Sequence, residues 1–158
     1  MRTEDHPVAR RKNNWRDARE MFERFKNRAP FDSWQPKILK DYCDYALLPT
    51  DEDGFRRLAC NPLNEAAVYL SNAGSGVILE QIPEIRTPVT LLRAPTDENF
   101  VDDMTKSPTW PGLAQALPCC REVYLPDHNH FIPMQDPDLV AHYIQEAQDN
   151  TWQEGKSA

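Results

Sequence analysis

Residues 87–93, TPVTLLR, and residues 121–125, REVYL, decide the fold. The first is a continuous apolar run, partly β-branched, and a short run of that kind is the mark of a buried strand. The second reads as another strand. Between them lie a polar loop, residues 94–106, and a short helix opened by Ser107-Pro108 and expected to run through Leu117. After the second strand, Asp136-Pro137 caps an amphipathic helix whose apolar stripe is Leu139, Val140, Tyr143, Ile144 and Ala147. Strand, helix, strand, helix is the order of an α/β unit, which predicts parallel strands joined by a right-handed crossover. Two parallel strands alone bury little area and leave both edges open. The pattern therefore predicts that this pair belongs to a larger sheet.

Upstream of residue 87 the pattern is helical. Trp15, Ala18, Met21, Phe22 and Phe25 fall on one stripe, with Arg16, Arg19, Glu20, Glu23 and Arg24 mostly on the other side. Ala29-Pro30 ends that helix. A second helix starts after Ser33, takes Pro36 into its first turn and stops before Pro49. Asp51 to Gly54 is a turn, and Phe55 to Ala59 is a short extended piece. Asn61-Pro62 begins a third helix that runs to about Ser71 and is broken by residues 72–76. The aromatic stripe of the first helix either lines a pocket or packs on neighbouring helices. Trp110 reads as a packing anchor.

Composition bounds the function. The net charge is −7, but residues 1–28 hold nine Lys/Arg against five Asp/Glu, so the body of the chain is strongly acidic. That argues against nucleic acid as a partner. The basic start is the solvated face of a helix, or an interaction arm. Fourteen prolines and only five glycines fit short elements joined by stiff turns. Cys43, Cys60, Cys119 and Cys120 form no CxxC pair, and the adjacent two do not resemble a disulfide framework, so free thiols in a reducing, cytoplasmic setting are expected. No stretch reads as a membrane span, so no membrane partner is expected. The start of the chain lacks an apolar signal core.

The chemistry sits in residues 127–137, DHNHFIPMQDP. A strand end, then a loop presenting histidine, then a helix, is where doubly wound enzymes keep catalytic groups. His130 also reads as an ordinary loop histidine. His128 and His130 make a His-x-His pair, but a metal needs further convergent ligands, and no metal or cofactor is expected.

HFIPMQDPDLVAHYI (residues 130–144) resembles the C-terminal end of α/β-hydrolases, and IPEIRTPVTLLR (residues 82–93) resembles the lead and penultimate strand of that family. WRDAREMFERFKNRAPFDSWQPKILKDYCDYALLP (residues 15–49) and RLACNPLNEAAVYL (residues 57–70) look like the cap segment of fungal members, including those called toxin-biosynthesis proteins, and SPTWPGLAQALP (residues 107–118) also fits that group. The resemblance implies a partial α/β-hydrolase fold: a helical cap segment followed by the last two parallel strands and helices. It places His130 at the triad histidine. It places the triad acid in the loop after residue 93, with Asp97 the best match and Glu98, Asp102 and Asp103 as competitors. With the polar start, 1–12, read as a loose segment, it divides the chain into that segment, a helical cap, 13–84, the C-terminal part of the core, 85–148, and a tail, 149–158. The implied activity is hydrolysis of an ester, or a related acyl transfer, on a small apolar metabolite.

The same family needs a Gly-x-Ser-x-Gly elbow to present its nucleophile. No serine or cysteine here fits it. Ser75 comes nearest, between Gly74 and Gly76, but its glycines are adjacent to it. The expectation is a truncated form, inactive by itself. The alternatives are a non-catalytic binding protein and one subunit of a split hydrolase, with a protein partner completing the sheet.

Overall fold

A computed structural model of the chain describes residues 2–71, 76–97 and 105–149. The chain divides into two compact units, Met1–Asp32 with Pro36–Leu79, and Ser33–Gln35 with Glu80–Ala158. Among the described residues no helix is long and apolar enough to cross a membrane.

The first unit is helical. Helix α1 is Ala18–Phe25, α2 is Pro36–Tyr45 and α3 is Pro62–Ser71. Helix α1 begins later than the apolar stripe predicts, because the Asp17 carboxylate caps it by accepting the Glu20 N–H at 2.7 Å. Glu20 turns back to accept the Arg16 N–H at 2.8 Å, a variant of the capping box. Trp15 is thereby left outside the helix. Its N–H and C=O pair with Arg56 at 3.0 and 2.8 Å in an antiparallel bridge, and a second bridge joins Leu47 to Leu58. These bridges use the extended piece expected at residues 55–59. Gly54 closes the preceding turn at φ +81°, a backbone conformation that other residues adopt only with strain. Trp15, Met21, Leu39, Cys43, Leu47, Leu58 and Ala66 form the core of this unit. The α1 aromatic stripe packs internally: Trp15 meets Phe25 edge-on at 5.5 Å, and Phe25 stacks on Phe31 at 4.3 Å.

Residues 1–12 read from the sequence as loose, yet they form two 3-10 turns, Thr3–Asp5 and Pro7–Arg10. Contacts made at long sequence range accompany them there: His6 stacks on Tyr69 at 5.5 Å, and Arg11 pairs with Glu65. Helix α4, Gly76–Gln81, is a further departure, because the sequence reading gives no element there. Ile82–Glu84 follows as a 3-10 turn with Ile82 buried.

The second unit holds strands β1, Val89–Arg93, and β2, Cys120–Tyr124. They pair in parallel, Val89 opposite Cys120 through Arg93 opposite Tyr124. β1 starts two residues after Thr87. The first rung is Val89 N–H to Cys119 C=O, 2.8 Å. Every residue of β1 is only half-buried, unlike the buried strand its composition predicts. The helix expected from Ser107 through Leu117 shrinks to α5, Leu113–Ala116, because Pro108 and Pro111 interrupt its start. Trp110 is 52% exposed and lies over Gly112, where a Cβ would come within 2.6 Å of its ring. After β2 come α6, Ile132–Gln135, and α7, Pro137–Asp149. Asp136 caps α7 through the Leu139 N–H at 3.0 Å, as its position before Pro137 predicts.

Candidate functional site

Because β1 and β2 run parallel and in register, the segments that follow them leave the same edge of the sheet. Asp97 lies in the segment after β1 and His130 in the segment after β2. Asp97 is exposed and is the last described residue before the interval 98–104. Glu98, Asp102 and Asp103 lie outside the described residues.

The loop after β2 is built by short-range hydrogen bonds. His128 N–H donates to Leu125 C=O at 3.2 Å. The Asn129 side chain accepts the Phe131 N–H at 2.8 Å, an Asx turn across His130. Asn129 N–H donates to the Gln135 side chain at 2.7 Å. His130 N–H donates to Thr105 C=O at 2.7 Å, tying the histidine loop to the chain that returns from β1. The His130 ring is exposed and meets Phe131 edge-on, centroids 5.5 Å apart.

Residues 33–35 brace this loop from far away in sequence. Asn129 donates to the Ser33 hydroxyl at 2.8 Å, Gln35 N–H donates to Met134 C=O at 2.9 Å, and buried Trp34 lies 5.5 Å from Phe131. No local sequence signal points to that contact.

Two clefts lie beside His130. One, about 210 Å³, is lined mainly by Leu92, Ala94, Ile132, Pro133 and Val140, with the His130 side chain and Ser107. The other, about 270 Å³, is polar, with Lys106, Asp127, His128 and Asn129. His128 Nε2 stands 3.8 Å from Asp136. The sequence reading misses Ser107 as a cleft residue, because only its position between two segments of the fold puts it there. Among the described residues no group of three or more His, Cys, Asp or Glu is placed to hold a metal. None of Cys43, Cys60, Cys119 and Cys120 forms a disulfide, and burial pushes the Cys43 thiol up to about 11.

The arrangement offers an imidazole at the carboxyl edge of a parallel pair, next to an apolar cleft. That is where open α/β sheets place their ligands. It supplies a proton acceptor but no nucleophile elbow.

No family model and no curated protein matches the sequence. Among solved structures the chain is similar to an E-2-(acetamidomethylene)succinate hydrolase, with a TM-score of 0.59 at 14% identity. The alignment covers 86% of this chain and 47% of that one, so this chain spans about half the length of that hydrolase. At such identity the likeness speaks for the fold alone. Taken with the parallel β1–β2 pair and its helices, it shows the fold to be a partial α/β-hydrolase fold.

Proposed function

We propose that the chain is the histidine-bearing part of an α/β-hydrolase that cleaves an ester, or performs a related acyl transfer, on a small apolar metabolite. His130 is the general base, and Asp97 orients it. The nucleophile comes from residues outside this sequence. One observation carries the reading: the parallel register sends the segments bearing Asp97 and His130 off one edge of the sheet, beside an apolar cleft that His130 lines.

The chemistry follows from those roles. The histidine takes the nucleophile's proton and later returns it to the leaving group, while the acid steadies the imidazolium. Backbone N–H groups hold the oxyanion, worth ~3–4 kcal/mol per donor. Neither the nucleophile elbow nor an oxyanion loop can be read in this sequence, so the chain by itself is inactive. Kinship with the toxin-biosynthesis group of fungi rests on residues 15–49, 57–70 and 107–118, and it would fit a role in secondary metabolism.

A second reading has its own support. All five residues of β1 are half-exposed, which suits a protein partner that completes the sheet. The nucleophile would then arrive on a separate chain.

The test is a p-nitrophenyl ester assay on two preparations: this chain, and this chain extended by the reading frame immediately upstream of Met1. The upstream frame is expected to encode Gly-x-Ser-x-Gly. The extended protein is expected to hydrolyse the ester and the shorter chain to give no rate above buffer. In the extended protein His130→Ala is expected to lower kcat by about a thousandfold or more. An unaffected rate in that variant would contradict the proposal. So would hydrolysis by the shorter chain that His130→Ala abolishes.

A further inference from the structure

Ser107 is the one buried polar residue among the described residues, only 4% exposed. Its backbone N–H donates to Pro95 C=O at 3.0 Å, and its hydroxyl oxygen accepts the Thr109 N–H at 3.2 Å. These bonds fix where the hydroxyl sits and use its oxygen as an acceptor. The hydroxyl proton has no acceptor among the described residues. A hydroxyl carries one donor besides its acceptor lone pairs, and a buried donor left unmet is costly. Ser107 lines the apolar cleft, beside Leu92, Ile132 and Val140.

We propose that this cleft binds a small, mostly apolar molecule carrying one acceptor oxygen, a ketone, ester or ether, and that the Ser107 hydroxyl donates to that oxygen. The cleft measures about 210 Å³, and an apolar cavity of about 150 Å³ already accepts benzene. The cleft is half-open, so it has room for a phenyl ring with a short substituent, or an aliphatic group of similar bulk, without capping the size of the rest of the molecule. The lining favours apolar atoms over most of the surface, and one fixed donor sets the orientation, the usual division of labour in a ligand site. The occupant's role as substrate rests on the functional reading above. The binding chemistry of Ser107 does not.

The test compares two near-isosteric probes, acetophenone and α-methylstyrene, which differ in a carbonyl oxygen against a methylene. Binding to the full chain is followed by methyl NMR shifts of Ile132 and Val140. Ser107→Ala is expected to weaken acetophenone by about two- to tenfold, the worth of one neutral hydrogen bond, and to leave α-methylstyrene within about twofold. Val140→Phe narrows the cleft and leaves the Ser107 hydroxyl in the chain; it is expected to weaken both probes. If Ser107→Ala fails to fold, Ser107→Cys keeps the branching with a slightly larger atom and a weaker donor and is expected to show the same selective loss. Equal loss of both probes, no loss of either, or indifference of both to Val140→Phe would overturn the proposal. Those outcomes leave the ester assay of the extended protein untouched. Equally, failure of that assay leaves the probe ratio standing.

Discussion

Glu20 shows how much single residues decide. A hydrogen bond from Lys12, and after it the Arg16 N–H, hold its carboxyl down at about 2, against 4.5 for an ordinary glutamate. A carboxylate whose folded-state value is depressed stabilises the fold fully above its unfolded value, and that contribution is lost as the pH falls through the folded value. Stability is therefore expected to drop between about pH 4.5 and 2. Glu20→Gln should flatten that part of the curve, measured as urea midpoint against pH. An unchanged slope would mean that the Lys12 contact carries no weight. At this scale the sequence is informative where a signal is local: Asp136 before Pro137 announces the α7 cap, and Asn61 before Pro62 announces α3. It is silent on Ser107, because burial is a property of what surrounds a residue in space. His130 is singled out by its neighbours in sequence, Phe131 to Pro133, but its link to Thr105 requires the fold.

Elements are legible in proportion to their periodicity. β1 and α7 follow from an apolar run and from an amphipathic stripe with a cap. Helix α4 does not, because a six-residue segment is too short to show a period. Helix α1 starts late because a strong cap at Asp17 outranks the continuity of the stripe. β1 has an alternation that exchange can test. Val89 donates to Cys119, and Arg93 C=O accepts from Leu125 N–H, so Val89, Leu91 and Arg93 face β2 while Thr90 and Leu92 face the other way. The Leu91 and Arg93 amides are expected to exchange at least tenfold more slowly than those of Thr90 and Leu92 in the chain alone, read by residue-resolved hydrogen exchange. Equal protection along the strand would show that something already covers the outer edge of β1.

For the molecule as a whole, the sequence is enough to predict a parallel pair at the end of a chain and a helical stretch before it. It is not enough to show that residues 33–35 join the second unit, since the contacts of Ser33, Trp34 and Gln35 with residues 129–135 span about a hundred positions. The proposed function stands on the parallel pairing of β1 and β2, because only that arrangement sends the segments of Asp97 and His130 off the same edge. Cross-strand NOEs in the labelled chain measure it most directly. N–H to Hα contacts are expected in the register that sets Leu91 opposite Glu122 and Leu92 opposite Val123. Strong Hα to Hα contacts between the strands, the signature of an antiparallel ladder, or no contacts between them at all, would contradict it.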